Sequence, residues 1–217
     1  MRNTLVKGLE QINNDLIEMG TLVEIAIDRA ISALKSQDIE LSRTVGKYMQ
    51  KVDEMEKIIE STALHILVSQ QPVARDLRLI SVSLKLITDM QRIADQAYNI
   101  AEISIQISQK TFIKNPELIV EMAEKTISMV SRSLDSFVNR DKNLAELVID
   151  SDDEVDELFV AVRDDLINLI IENKSNGEQA IDLIMIAKYL ERIADHAVNI
   201  SGWVIFYITG EHRQGDI

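Results

Sequence analysis

A chain of 217 residues with 46% hydrophobic and 27% charged side chains has the composition of a folded globular protein and is too apolar to be disordered. It contains no cysteine, which excludes disulfides, thiolate metal sites and a cysteine nucleophile. Its formal net charge of -13 opposes nucleic-acid binding, which needs clustered Lys and Arg, and admits cations and basic proteins as partners.

Apolar residues recur at helical spacing almost everywhere. Leu9, Ile12, Leu16, Met19, Val23, Ala26, Ala30, Ala33 and Leu34 advance by steps that keep one stripe on one face. With 7 glycines and 2 prolines to punctuate it, the chain must form a few long elements. No stretch alternates as a strand does, so the fold class is all-α.

The first helix is predicted over Asn3 to Lys35, ending at Ser36-Gln37-Asp38. Asp38 caps a second helix that reaches Ser69. Pro72 suits the first turn of a third helix, which runs to Lys110. Asn115-Pro116 reads as cap plus first position of a fourth helix, ending near Asn139. Asp141 caps a fifth to Glu172, Asn173-Lys174-Ser175-Asn176-Gly177 is a loop, and a sixth runs from Glu178 to just before Gly210. The opening Met1-Arg2-Asn3-Thr4-Leu5-Val6-Lys7 lacks the apolar core of a signal peptide, and the apolar run Trp203 to Ile208 is too short to span a bilayer. The expectation is a cytoplasmic protein with no transmembrane segment.

The predicted third and sixth helices share a block. Arg92-Ile93-Ala94-Asp95-Gln96-Ala97-Tyr98-Asn99-Ile100 and Arg192-Ile193-Ala194-Asp195-His196-Ala197-Val198-Asn199-Ile200 agree at seven of nine positions. Val52-Asp53-Glu54-Met55 matches Val155-Asp156-Glu157-Leu158 more weakly, and Asp38 aligns with Asp141. Duplication of a three-helix unit explains all three matches. The two units are tandem three-helix bundles, residues 1–110 and 111–217.

The repeated block also carries the chemistry. Glu191, Asp195 and Asn199 follow one another at four-residue steps along one helix face, and Asp152 and Asp156 repeat the step on the preceding helix. If those helices are neighbours, four carboxylates converge, an arrangement suited to hard or borderline cations such as iron, manganese or magnesium. A solvated face accounts for the same acids, since Arg92 and Arg192 each precede an aspartate by three residues. The small neighbours Ala94, Ala97, Ala194 and Ala197, and the recurrence in both halves, point towards the metal. His196 is beside Asp195, and its match is Gln96; His65 sits on an apolar stretch that predicts partial burial. The Glu-x-x-His spacing of ferritin-like di-iron proteins is absent, as are nucleophile elbows and phosphate-cradling glycine loops.

Three segments carry a family resemblance. Gln71-Pro72-Val73-Ala74-Arg75-Asp76-Leu77-Arg78, the block Glu191 to Ile200, and the ending Trp203-Val204-Ile205-Phe206-Tyr207-Ile208-Thr209-Gly210-Glu211 resemble, in order, the signatures of the PhoU family. The resemblance implies a cytoplasmic, non-catalytic regulator of phosphate uptake. It implies an adaptor, often dimeric, between the ATPase subunit of a phosphate ABC transporter and a sensor histidine kinase, repressing the starvation response when phosphate is plentiful. Some members hold multinuclear metal, iron first and zinc, manganese or magnesium as alternatives, through a repeated acid-x-x-x-Asp pattern. Carried over by position, that pattern is intact in the second half as Asp152 with Asp156 and Glu191 with Asp195. In the first half Met49 and Gln91 replace the leading acids, leaving Asp53, Asp95 and Glu102, whereas Gly202 stands opposite Glu102. The rival readings are a carboxylate-cluster metalloenzyme and a metal-free helical scaffold.

Overall fold

A computed structural model describes residues 2–211. Among these the chain forms seven α-helices and one 3-10 turn: α1 (Arg2–Ser36), α2 (Ile39–Gln70), α3 (Ala74–Ile107), α4 (Glu117–Asn139), α5 (Lys142–Asp150), α6 (Asp152–Glu172), the turn Lys174–Asn176, and α7 (Gly177–Thr209). Helices α1, α2 and α3 pack on one another, α4, α5 and α6 pack around α7, and α3 lies against α7. The two bundles therefore meet through their last helices, α3 against α7, and through their first, α1 against α4, where Leu134 packs on Gly20. The last helices run antiparallel, because Arg78 meets Tyr207 near one end while Lys110 meets Glu178 near the other.

The core is aliphatic. The α1 stripe from Ile12 to Leu34 is buried, with Ile12, Met19, Val23, Ala26, Ala30 and Ala33 at 0% exposure, as the periodicity requires. Ile93 and Ile193, equivalent by duplication, are both fully enclosed, and so are Ala94, Ala97, Ala194 and Ala197.

The duplication extends to backbone geometry at the first turn of each unit. Gln37 (φ 51) and Arg140 (φ 52) both adopt the left-handed conformation that ends a helix. Each is followed by an aspartate whose carboxylate accepts from a backbone N–H three residues on, Asp38 from Leu41 and Asp141 from Leu144, both at 3.0 Å.

Four expectations are corrected. The predicted fifth helix is two helices, broken at Ser151. The Ser151 hydroxyl donates to Val148 O at 2.7 Å, and its N–H is shared between Leu147 O and Val148 O at 3.2 Å each, so local bonding there competes with helix continuation. Pro72 is not in the first turn of α3; Gln71 is left-handed and Val73 extended, which delays the helix to Ala74. Pro116 rather than Asn115 occupies the N-cap of α4, and the Asn115 amide instead donates to Glu117 Oε1 at 3.0 Å. His65 is exposed rather than half-buried, because Leu64 beside it is itself 50% exposed and that face of α2 points to solvent. His212 lies outside the described residues.

Two of the sequence signatures meet in space. Arg78, near the start of α3, donates from Nη1 to Tyr207 O at 3.4 Å and sets its guanidinium 5.9 Å from the Phe206 ring centre. Gly210 ends α7 at φ 82, and a Cβ there would stand 2.6 Å from Arg78 Nη2. Replacing Gly210 with Ala is expected to cost about 1–2 kcal/mol, from the left-handed backbone together with displacement of Arg78. Gly177→Ala is the control, since Gly177 is right-handed at φ -55 with nothing within 4 Å of a Cβ, and is expected to be neutral or slightly stabilising. Urea unfolding of the two variants measures the difference.

Candidate metal centre

The helix break at Ser151 positions the acids of the second bundle. It restarts the chain with Asp152, Asp153 and Glu154 in the first turn of α6, where carboxylates are favoured by the unpaired N–H groups. Asp156 follows one turn later, α6 packs on α7, and the charges of Glu191 and Asp195 act on the acids of α6. Asp152 and Glu191 are half-buried, the Glu191 side chain at 17% exposure, and Asp156 and Asp195 are exposed.

Crowding of like charge shows in the titration behaviour. The Asp152 carboxyl is pushed from 3.8 to about 6, first by burial and then by Asp156, Asp195, Asp153 and Glu191. Asp195 is also raised, by burial, Glu191 and Asp156, with Lys188 and His196 opposing. All four predicted carboxylates thus lie in one electrostatic neighbourhood. Among the described residues, however, no three His, Asp or Glu side chains are disposed as a ready ligand set. The donor set, oxygen-only and in excess of negative charge, fits a hard or borderline cation.

The protein supplies one positive group of its own at this position. Lys188 forms an ion pair with Glu191 one turn away and lies 5.3 Å from the centre of the Phe159 ring. Glu191 Oε2 is buried, and Lys188 is the ion-pair partner that the chain gives it. Lys188 was not legible as part of the site from its own neighbours, although its spacing three residues before Glu191 is the available signal.

The first bundle is built differently. Asp53 on α2 and Asp95 on α3 come together, and between them lies Gln91, whose Nε2 donates to Asp95 Oδ2 at 3.0 Å and reaches Asp53 Oδ1 at 3.5 Å. Burial raises Asp95, and the bond from Gln91 opposes that rise. Glu102 is the neighbour of Tyr98 and, after burial, the next cause of a raised Tyr98 hydroxyl, while the charges that act on Asp95 are those of Asp53 and Arg92.

The arginine-pair reading holds in one half. Arg92 and Asp95 approach to 3.7 Å, an exposed and weak contact. Arg192 instead lies 5.9 Å from the Tyr189 ring centre. His196 turns away from the acids of its own bundle and bonds across the interface, Nδ1 to Asp89 Oδ1 at 2.9 Å, with Asn199 Nδ2 at 3.5 Å from the same oxygen.

These observations define a duplicated helical-bundle protein with an acidic, oxygen-donor site at an equivalent place in each repeat. The PhoU domain matches residues 16–104 and 119–204, and the chain belongs to the PhoU family. It is 33% identical to the phosphate-specific transport system accessory protein PhoU homolog of Clostridium acetobutylicum over 97% of this chain and 96% of that one. It is 37% identical to the homolog of the same name from Aquifex aeolicus, over 95% and 94% of the two chains. The crystal structure of PhoU from Pseudomonas aeruginosa superposes with a TM-score of 0.91 at 31% identity, covering 94% of this chain and 99% of that one.

The raised Asp152 carboxyl has a consequence for stability. The native state holds this proton to higher pH than the unfolded chain, so its ionisation destabilises the fold progressively from about pH 4 to about pH 6 and fully above. Asp152→Asn is therefore expected to exceed the parent in stability by about 1 kcal/mol at about pH 8 in EDTA, the half-buried group being partly screened. The gain should vanish by about pH 4, as read by urea unfolding at the two pH values.

Proposed function

We propose that this protein is a cytoplasmic regulator of phosphate uptake and of the phosphate-starvation response, without a catalytic reaction of its own. It acts as an adaptor that contacts the ATPase subunit of a phosphate ABC transporter and a sensor histidine kinase, and it represses the response when phosphate is plentiful. The observation that carries this reading is the family match in both halves, together with near full-length similarity to proteins named as accessories of phosphate-specific transport. None of its described helices is long and apolar enough to cross a membrane, in keeping with a partner that works beside the transporter.

The metal reading joins this one through the second bundle. Asp152, Asp156, Glu191 and Asp195 would hold the cation, iron first and zinc, manganese or magnesium as alternatives, and the cation would offset the repulsion that lifts Asp152. Lys188 would have to yield its contact with Glu191. The adaptor is expected to work as a homodimer.

Deleting the gene is expected to derepress alkaline phosphatase and transporter expression in phosphate-rich medium; unchanged expression would sink the regulatory reading. Affinity purification from cells should recover the transporter ATPase and a histidine kinase. Elemental analysis of the purified protein should show bound metal that is lost when Glu191→Ala is combined with Asp195→Ala. Loss on Asp53→Ala with Asp95→Ala instead would place the metal in the other bundle.

A further inference from the structure

The two acid sites differ in one atom type at their centre. In the first bundle the residue between the aspartates of α2 and α3 is Gln91, and its nitrogen faces one carboxylate oxygen from each helix, Asp95 Oδ2 at 3.0 Å and Asp53 Oδ1 at 3.5 Å. A primary amide carries two N–H donors on one nitrogen, splayed so that each can serve a separate acceptor. One side chain can therefore join carboxylates on two helices, a task otherwise left to a shared cation.

The duplicated position in the second bundle is Glu191, which only accepts, and Asp152 stands there in place of Met49. That bundle consequently gathers four carboxylates with no donor among them. Its nearest positive group is Lys188, whose counterpart in the first bundle is Thr88. The first bundle has two carboxylates fewer and an internal donor; the second has neither relief.

We propose that the Gln91 carboxamide stands in the first bundle where a bridging cation would stand, closing the Asp53–Asp95 pair without metal and confining cation binding in this chain to the second bundle. The Gln91 geometry carries the first clause by itself, and the contrast with the second bundle rests on the metal reading above. The site is thus a structural strut between α2 and α3 in one repeat and a cation-responsive one between α6 and α7 in the other.

Equilibrium dialysis of the full chain against Mn²⁺, with elemental analysis, and thermal unfolding in EDTA and in Mn²⁺ test this. Asp53→Asn combined with Asp95→Asn is expected to leave the Mn²⁺ content of the protein unchanged. Gln91→Glu is expected to lower Tm in EDTA by about 2–6 °C, to regain it in Mn²⁺, and to raise the Mn²⁺ content above the parent's. Gln91→Leu, which removes the donor without adding an acid, should lose Tm equally in EDTA and in Mn²⁺. A fall in Mn²⁺ content in the Asp53/Asp95 variant would overturn the proposal, as would a Gln91→Glu protein with parental Tm and Mn²⁺ content under both conditions. If Gln91→Glu fails to fold, Gln91→Leu decides: parental Tm would show that the amide bridges nothing. A parent that takes up no Mn²⁺ would count against the second-bundle site, while the Gln91→Glu comparison would still decide the role of the amide.

Discussion

Carboxylates placed side by side on packed helices must be neutralised, and much of what distinguishes the two repeats is how each does so. The helical frame leaves little choice, because a four-residue step puts acids on one face and antiparallel neighbours bring two such faces together. In one repeat an amide nitrogen supplies the relief and in the other an ammonium from the same helix supplies part of it. The remainder appears as a proton held by Asp152 well above the usual carboxylate range.

The contact between α3 and α7 decides where these sites lie relative to each other. Because the two helices run antiparallel, the first sequence signature sits against the last one, Arg78 on Tyr207 and Phe206. The repeated block occupies the middle of both helices. Its acids face α2 or α6, while His196 and Asn199 of the same block reach Asp89 in the other bundle. One nine-residue motif thus does two jobs, holding carboxylates on one face and joining the bundles on another.

Much of the fold was legible because its signals are local. Asp38 and Asp141 cap their helices by bonds spanning three residues, and the α1 stripe needs only its own periodicity. The break at Ser151 was not, since residues 142–172 contain neither glycine nor proline and a serine hydroxyl competes with the helix only once the turn around it exists. At the site, the grouping of Asp152, Asp156, Glu191 and Asp195 followed from spacing, whereas the loss of acids at Met49 and Gln91 emerged only when the pattern implied by the family resemblance was carried over by position. That Gln91 donates to both aspartates depends on the relative height of α2 and α3, which no single-helix pattern contains. His65 misled for a related reason: apolar flanks predict burial only if that face meets another helix, and the neighbouring Leu64 is half exposed.

The break at Ser151 also makes the two repeats unequal in their tolerance of length change. In a continuous α2, one residue inserted ahead of Asp53 rotates the preceding part of the helix against it by about 100°, so the turn at Asp38 and the acid site are geometrically locked. In the second repeat the same insertion within α5 can be absorbed at the break, since α5 and α6 each pack on α7 and α6 takes its register from there. A change of register in α5 therefore need not turn Asp152 and Asp156 away from α7, whereas one within α2 ahead of Asp53 must turn the Asp38 cap relative to the acid site.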